Sequence, residues 1–199
     1  SVHQQAKHVT MKQCRQTTAY SNSGELYVLP RPRNVMIIQD GALSRAIIYD
    51  GSSASFADPR PSGEYDDDGD QIISPNKSQT IAGMWMEFTG NRLWVANGST
   101  LYASDLGNPT NFTETQYIAE SQGFTMPEEI TGMIKMPSSE DLIVFGRNSF
   151  SLVRSSIQNR SLWLTTSDMI STYWGIGCVS GKSVVNKLGL TMWYSDGGL

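Results

Sequence analysis

The densest run of charge in the chain is Glu64-Tyr65-Asp66-Asp67-Asp68-Gly69-Asp70, and its residue types are those of a calcium loop. Alternating carboxylates such as Asp66, Asp68 and Asp70 can surround a hard cation with oxygen. The spacing does not complete that cage. Counted from Asp66, the sixth position, where the turn demands glycine, is Gln71. Counted from Glu64, Gly69 falls correctly, but the twelfth position is Pro75 and not a bidentate glutamate. An ion site therefore competes with two plainer readings of Asp66, Asp67, Asp68 and Asp70: a solvated, mobile loop, and an acidic patch facing a channel lumen or a neighbouring subunit.

Other residues with chemical potential are sparse. His3 and His8 are the only histidines, with Cys14 the one further ligand type close in sequence. That set is short of a zinc site, and exposed side chains are the plainer reading. A Ser-His-Asp or Cys-His site would need one of the same two histidines. No G-x-S-x-G, H-E-x-x-H or Walker loop occurs. Glu128-Glu129 and Glu140-Asp141 are acid pairs of the type a glycosidase uses. Trp85, Trp94, Trp163, Trp174 and Trp193 have rings that could stack on sugars, but three of them fall in strand-like runs where core packing is the default. Pro30-Arg31-Pro32-Arg33 sets two arginines on a stiff stretch, suited either to phosphate or an acidic partner or to a plain extended connector. N-x-S/T sequons begin at Asn76, Asn97, Asn111 and Asn159, all in turn-like segments expected to be exposed. Cys14 and Cys178 form no C-x-x-C and can pair only if the fold brings them together. The reading is of a protein with no catalytic residue, no cofactor and no metal.

Composition points the same way. The 199 residues suffice for one or two domains with a core. Charged residues make up 17%, below the roughly 25% of an average domain. Polarity comes instead from Ser, Thr, Asn, Gln and 18 glycines, a mixture suited to turn-rich β structure. A net charge of −4 argues against tight nucleic-acid binding. No apolar run approaches the roughly 18 residues of a membrane helix. A polar start without Met and an end on an apparent hairpin lead us to expect a piece of a longer polypeptide.

What would position these residues is a repeat. Residues 81–101 align without a gap on residues 130–150, an offset of 49 (130 − 81). Ile81, Gly83, Met84, Leu93 and Val95 fall on Ile130, Gly132, Met133, Leu142 and Val144. A second shift of 49 brings Gly181, Met192, Trp193, Tyr194 and Leu199 onto Gly132, Ile143, Val144, Phe145 and Phe150. Upstream, residues 47–53 match residues 94–100 at an offset of 47 (94 − 47). In the best-defined period, residues 130–136, 141–146, 149–156 and 161–166 read as four strands separated by Gly, Asn, Ser or Pro turns. Periods of 40–50 residues with several short strands each are those of β-propeller blades. The expectation is an all-β fold, a propeller or part of one with blade repeats of about 49 residues. Residues 1–33 would form an extended segment or first strands, and residues 34–199 three to four blades. Gly83, Gly132 and Gly181 should occupy matching backbone sites, and Leu93–Val95, Leu142–Phe145 and Met192–Tyr194 should be buried between blades. A two-sheet sandwich would give similar strand lengths but no reason for a recurring 49.

Several phrases in residues 81–199 also resemble a known family. They are Arg92-Leu93, Ser104-Asp105, Pro109 to Phe112, Ala119-Glu120-Ser121, Asp141 to Phe150 and Gly175-Ile176-Gly177. Together they resemble the tail hub and nozzle proteins of short-tailed bacteriophages, also called packaged-DNA stabilisation proteins. The resemblance implies a structural virion protein and not an enzyme: a propeller in a homo-oligomeric ring, usually hexameric, below the portal and its adaptor. Such a ring closes the tail channel and lets genomic DNA pass without specific binding, with no membrane involved. The alternative is a carbohydrate-binding or carbohydrate-cleaving propeller.

Overall fold

The computed structural model describes residues 9–21, 25–40, 45–57, 80–112 and 123–196. These form an all-β structure of four antiparallel sheets, none closed on itself. The first sheet is β1 (Thr10–Tyr20), β2 (Leu26–Gln39), β3 (Ile47–Tyr49) and β4 (Ala54–Phe56), in chain order. The second is β5 (Trp85–Thr89), β6 (Arg92–Asn97), β7 (Thr100–Ala103) and β8 (Gly123–Thr125). The third is β9 (Gly132–Lys135), β10 (Leu142–Phe145), β11 (Ser149–Val153) and β12 (Ile170–Trp174). A last hairpin pairs β13 (Val185–Lys187) with β14 (Leu190–Met192). Among the described residues no helix is long and apolar enough to cross a membrane.

The 49-residue spacing is written into the hydrogen-bond register. Val95↔Tyr102 and Ala96↔Leu101 in the second sheet become Val144↔Ser151 and Phe145↔Phe150 in the third. Likewise Leu101↔Phe124 and Tyr102↔Gly123 become Phe150↔Tyr173 and Ser151↔Thr172. Three of four strands thus repeat without a slip. The first strand does not. β5 and β6 are joined by the two residues Gly90 and Asn91, at φ 60° and 58°. That pair of positive φ values is a type I′ turn, which glycine and asparagine adopt most readily. Between β9 and β10 the turn is longer, closed by the amide of Met136 on the carbonyl of Asp141. Trp85 pairs with Ala96, whereas Gly132 pairs with Phe145. Trp85, not Gly83, therefore holds the site of Gly132, which corrects the expected glycine match: the ungapped alignment hides two extra turn residues. The upstream match is corrected too. Residues 47–53 cover β3, the third strand of its sheet, and the turn leading to β4, while residues 94–100 cover β6, the second strand of its sheet, and the turn leading to β7.

The fourth strand of the third sheet also differs from expectation. Residues 161–166 are not a strand. Asn159 caps a 3-10 turn at Arg160–Leu162, its side chain accepting from the amide of Ser161. Trp163 then turns into the core while Leu162 and Leu164 stay exposed, so the apolar run has no strand alternation to satisfy. The strand comes later, as β12.

Alternation along the strands assigns their faces. Leu93 and Val95 point back to the first sheet, where they pack with Cys14, Val35, Ile37 and Ile48. Trp94 and Ala96 point forward to Met133, Leu142 and Val144 of the third sheet. Ile143 and Phe145 in turn point forward to Val184 and Trp193. The sheets stack face to face in chain order, and β1 lies beside β5 and β5 beside β9. A two-sheet sandwich does not describe this stack, because the second sheet buries both faces.

Candidate functional site

The structure disperses the residues that looked chemical. Asp66, Asp67, Asp68 and Asp70 lie outside the described residues, as do His3, His8 and the sequon at Asn76. Among the described residues no three His, Cys, Asp or Glu side chains gather to hold a metal ion. Cys14 and Cys178 are both free and buried, in different cores. Burial pushes the Cys14 thiol up to about 12, which leaves it protonated and unreactive. Pro30-Arg31-Pro32-Arg33 sits inside β2 at a bulge, where the register steps from Gln16↔Arg33 to Thr18↔Val28. The prolines, which have no N–H to give to a ladder, fall in the unpaired stretch. Arg33 donates to Gln16 Oε1 at 2.8 Å. Asn111 is buried, contrary to the expectation for that sequon, while Asn97 and Asn159 are exposed. Trp94 and Trp163 are buried and stacked on one another at 5.4 Å, and Trp174 is largely exposed.

The acid pairs are divided among joints between segments. Burial alone would raise Glu128, but Ser149 Oγ and the Asn148 side chain and amide donate to its carboxylate and hold it below the ordinary carboxylate range. Glu128 thus clasps the turn between β10 and β11. Glu140 is lowered by Lys135 first and then by the amide of Gly90, which it reaches across to the β5–β6 turn at 3.1 Å. Asp141 accepts instead from Ser156. Glu140 and Asp141 are thus anchored to different segments, Glu140 to the β5–β6 turn and Asp141 to Ser156.

The segment after β7 is a buried polar knot that sequence reasoning did not find. Asn108 Oδ1 accepts from Gln16 Nε2 at 3.1 Å and from Thr110 Oγ1 at 2.9 Å, while Asn108 Nδ2 donates to Asn111. The amides of Thr17 and Thr18 both donate to the carbonyl of Gly107, so the bulge of the first sheet is seated on the knot of the second. Arg92 and Arg160 complete the other side. Both donate to the carbonyl of Ser104, and both guanidiniums lie over Trp163, at 5.1 and 4.8 Å from its ring centroid. Asn, Thr and Gln close to a glycine-proline turn were the available signal, but their partners lie far off in sequence.

What remains unspent lies at the two ends of the stack. On the first sheet the ladder Met11–Ile38–Ile47–Phe56 faces away from the second sheet, with Met11 and Phe56 exposed. At the other end Met192 and Tyr194 keep 42% and 52% exposure. That corrects the expectation that Met192–Tyr194 is a buried strand: of the three, Trp193 turns inward onto Phe145. A cleft of about 580 Å³ opens beside them, bounded by Arg147, Gly175, Ile176, Met192, Trp193 and Asp196. Arg147 and Asp196 pair across it at 3.2 Å. These surfaces are apolar with a polar rim, the chemistry of protein contact. No protein-family model matches the chain, and no curated protein matches it.

Proposed function

We propose that the chain is the open part of a β-propeller, with blades of about 49 residues, and that it serves as a structural component of a phage tail. In this reading copies assemble as a ring, most simply a hexamer, below a portal and adaptor. The ring closes the channel until DNA passes. The acidic run Asp66, Asp67, Asp68 and Asp70 is the candidate in this reading for the negative charge that would keep phosphates from binding a channel wall or a neighbouring subunit.

One observation carries the reading. Of the phrases that resemble phage hub proteins, Arg92 and Ser104 lie in the arginine joint, Thr110 and Asn111 in the knot, and Leu93 and Phe112 in the core between the first two sheets. They are spent on holding sheets together. The in-register 49-residue spacing and the face-to-face order of the sheets support blades, and the bare faces at both ends support assembly over catalysis. The test is the mass and shape of the purified chain by native mass spectrometry and electron microscopy. Discrete rings are expected. A monomer at tens of micromolar that binds or cleaves a glycan would overturn the reading in favour of the carbohydrate alternative.

A further inference from the structure

The β6–β7 turn holds the one Asn-Gly pair in the sequence, Asn97-Gly98. Asn97 pairs with Thr100, and Gly98 and Ser99 make the two-residue loop between them. Gly98 stands at φ 60° and Ser99 keeps a negative φ, the II′ pattern that takes glycine first. The turn thus requires, directly after an asparagine, a residue without a side chain. A Cβ built on Gly98 would meet nothing within 4 Å, so that side of the turn is open to water. The Gly98 amide donates to no group among the described residues, while its carbonyl accepts from Ile130. Asn97 is itself exposed, and its side chain is held by one 3.3 Å bond from Nδ2 to the carbonyl of Ala82.

Other asparagines among the described residues lack one of these features. Asn148 precedes a serine, and Glu128 accepts from both its side chain and its amide. Asn91, Asn111, Asn159 and Asn186 precede Arg92, Phe112, Arg160 and Lys187, whose side chains crowd the following nitrogen. Asp50-Gly51 is the nearest parallel, an exposed turn with open space beside a positive-φ glycine. There the amides of Ser53 and Ser52 and the Ser52 hydroxyl donate to the carboxylate and hold it well below the ordinary range. An ionised carboxylate has no neutral group to expel. The Asn97 amide has one.

We propose that Asn97 is a site of spontaneous covalent modification, at which the Gly98 nitrogen attacks the Asn97 side-chain amide and converts the residue to aspartate and isoaspartate. The bond from Gly98 N to Asn97 Cγ forms as the Cγ–Nδ2 bond breaks. Ammonia leaves with the proton that Gly98 N gives up. Water then opens the five-membered imide, at Cγ to give isoaspartate's isomer aspartate, or at the main-chain carbonyl carbon to give isoaspartate. Water is the only co-reactant. Ring closure has to turn the Asn97 backbone out of its strand angle, and the pair it gives up with Thr100 is the last of the ladder, where strands open most easily. Both products carry a new negative charge, and isoaspartate adds a methylene to the main chain at a joint. The carbonyls of Gly98 and Ser99 accept from Ile130 and Met126, both buried between the second and third sheets. A change on an exposed turn therefore loosens the segment 126–130. The inference rests on the turn and not on the virion reading.

The test incubates the folded protein at mildly alkaline pH, samples it over days, digests it under mildly acidic conditions and reads the peptides by mass spectrometry. The peptide bearing Asn97 should gain about 1 Da, as separable aspartate and isoaspartate isomers. The gain should come faster as pH rises, because the attacking nitrogen must shed its proton. Peptides bearing the other described asparagines should lag behind it. Asn97→Gln, whose ring would have to be six-membered, should lose the gain while melting with the parent. A synthetic peptide of residues 92–102 sets the rate without the fold. Conversion of that peptide while Asn97 of the folded protein stays unchanged would show the turn to be protective and overturn the proposal. So would conversion spread evenly over the asparagines. Anion exchange then separates the modified molecules by their added charge, and amide exchange at Met126 and Ile130 should be faster in them by about tenfold. Equal exchange in the two fractions would overturn the link to the joint.

Discussion

The third sheet and the last hairpin carry the same strand at the same spacing, yet they live in different surroundings. Ile143 and Phe145 of β10 are covered by Val184 and Trp193. Met192 and Tyr194, which stand 49 residues later, keep about half of their surface exposed. The side chains are alike in size and polarity, so what makes one a core and the other a surface is the next sheet. A strand in this architecture becomes buried through its neighbour.

Truncations on the two strands should separate that effect most sharply. Ile143→Ala should cost roughly 2–5 kcal/mol and Phe145→Ala about 3–5 kcal/mol, because each leaves a cavity in a packed interface. Met192→Ala and Tyr194→Ala should stay within about 0.5 kcal/mol, as surface changes do. Chemical denaturation of the four variants reads the contrast, and equal losses on both strands would break it.

A smaller effect belongs to the turn of the covered sheet. Glu128, held below the ordinary carboxylate range by donors from the β10–β11 turn, binds fewer protons folded than unfolded as pH falls. Its contribution is therefore present above the usual glutamate range and lost as pH drops through the lowered folded value. Glu128→Gln should flatten the acid side of the stability profile measured by thermal melts. Gly177 stands 49 residues after Glu128, so the last hairpin has no such clasp to lose.

The smallest expected change improves the protein. Leu188 sits at φ 53° beside Gly189 at φ 78°, an I′ pair with leucine where asparagine is preferred. A left-handed leucine costs roughly 1–2 kcal/mol, and its side chain is almost fully exposed. Leu188→Asn should raise the melting midpoint by a few degrees if the hairpin melts with the rest. A fall would mean that Leu188 is covered in solution, which would sharpen the case for a partner at this end.

The legible part of the fold was the part in which turn lengths repeat. Residues 93–102 and 142–151 share the same hairpin turn length, so string matching found their register. It failed where Gly90-Asn91 is answered by a longer turn, since an ungapped match cannot see where a strand begins. It failed again at Trp163, where Leu162-Trp163-Leu164 reads as a short apolar strand but runs on from a capped 3-10 turn. The joints were illegible for a different reason. Glu128 finds its donors 20 residues away, and Gln16 meets Asn108 across 92 residues, with nothing in either neighbourhood to announce the partner. Residue type exposed the acids and amides as candidates, and only the fold showed that they are fasteners.

The seating of the β1–β2 bulge on the knot at Gly107 and Asn108 has a consequence in time. Nearly every strand pairs with its neighbour in sequence, so each meander can close soon after it leaves the ribosome. The first hairpin is the exception in what it needs next: Gln16 has no Asn108 until 92 more residues exist. At about 5–20 residues per second that is a delay of roughly 5–20 s. Through that interval the apolar underside of the first sheet, with Val35, Ile37 and Ile48, has no second sheet to meet. The nascent chain is most exposed to wrong pairing and to chaperones there, at the first sheet.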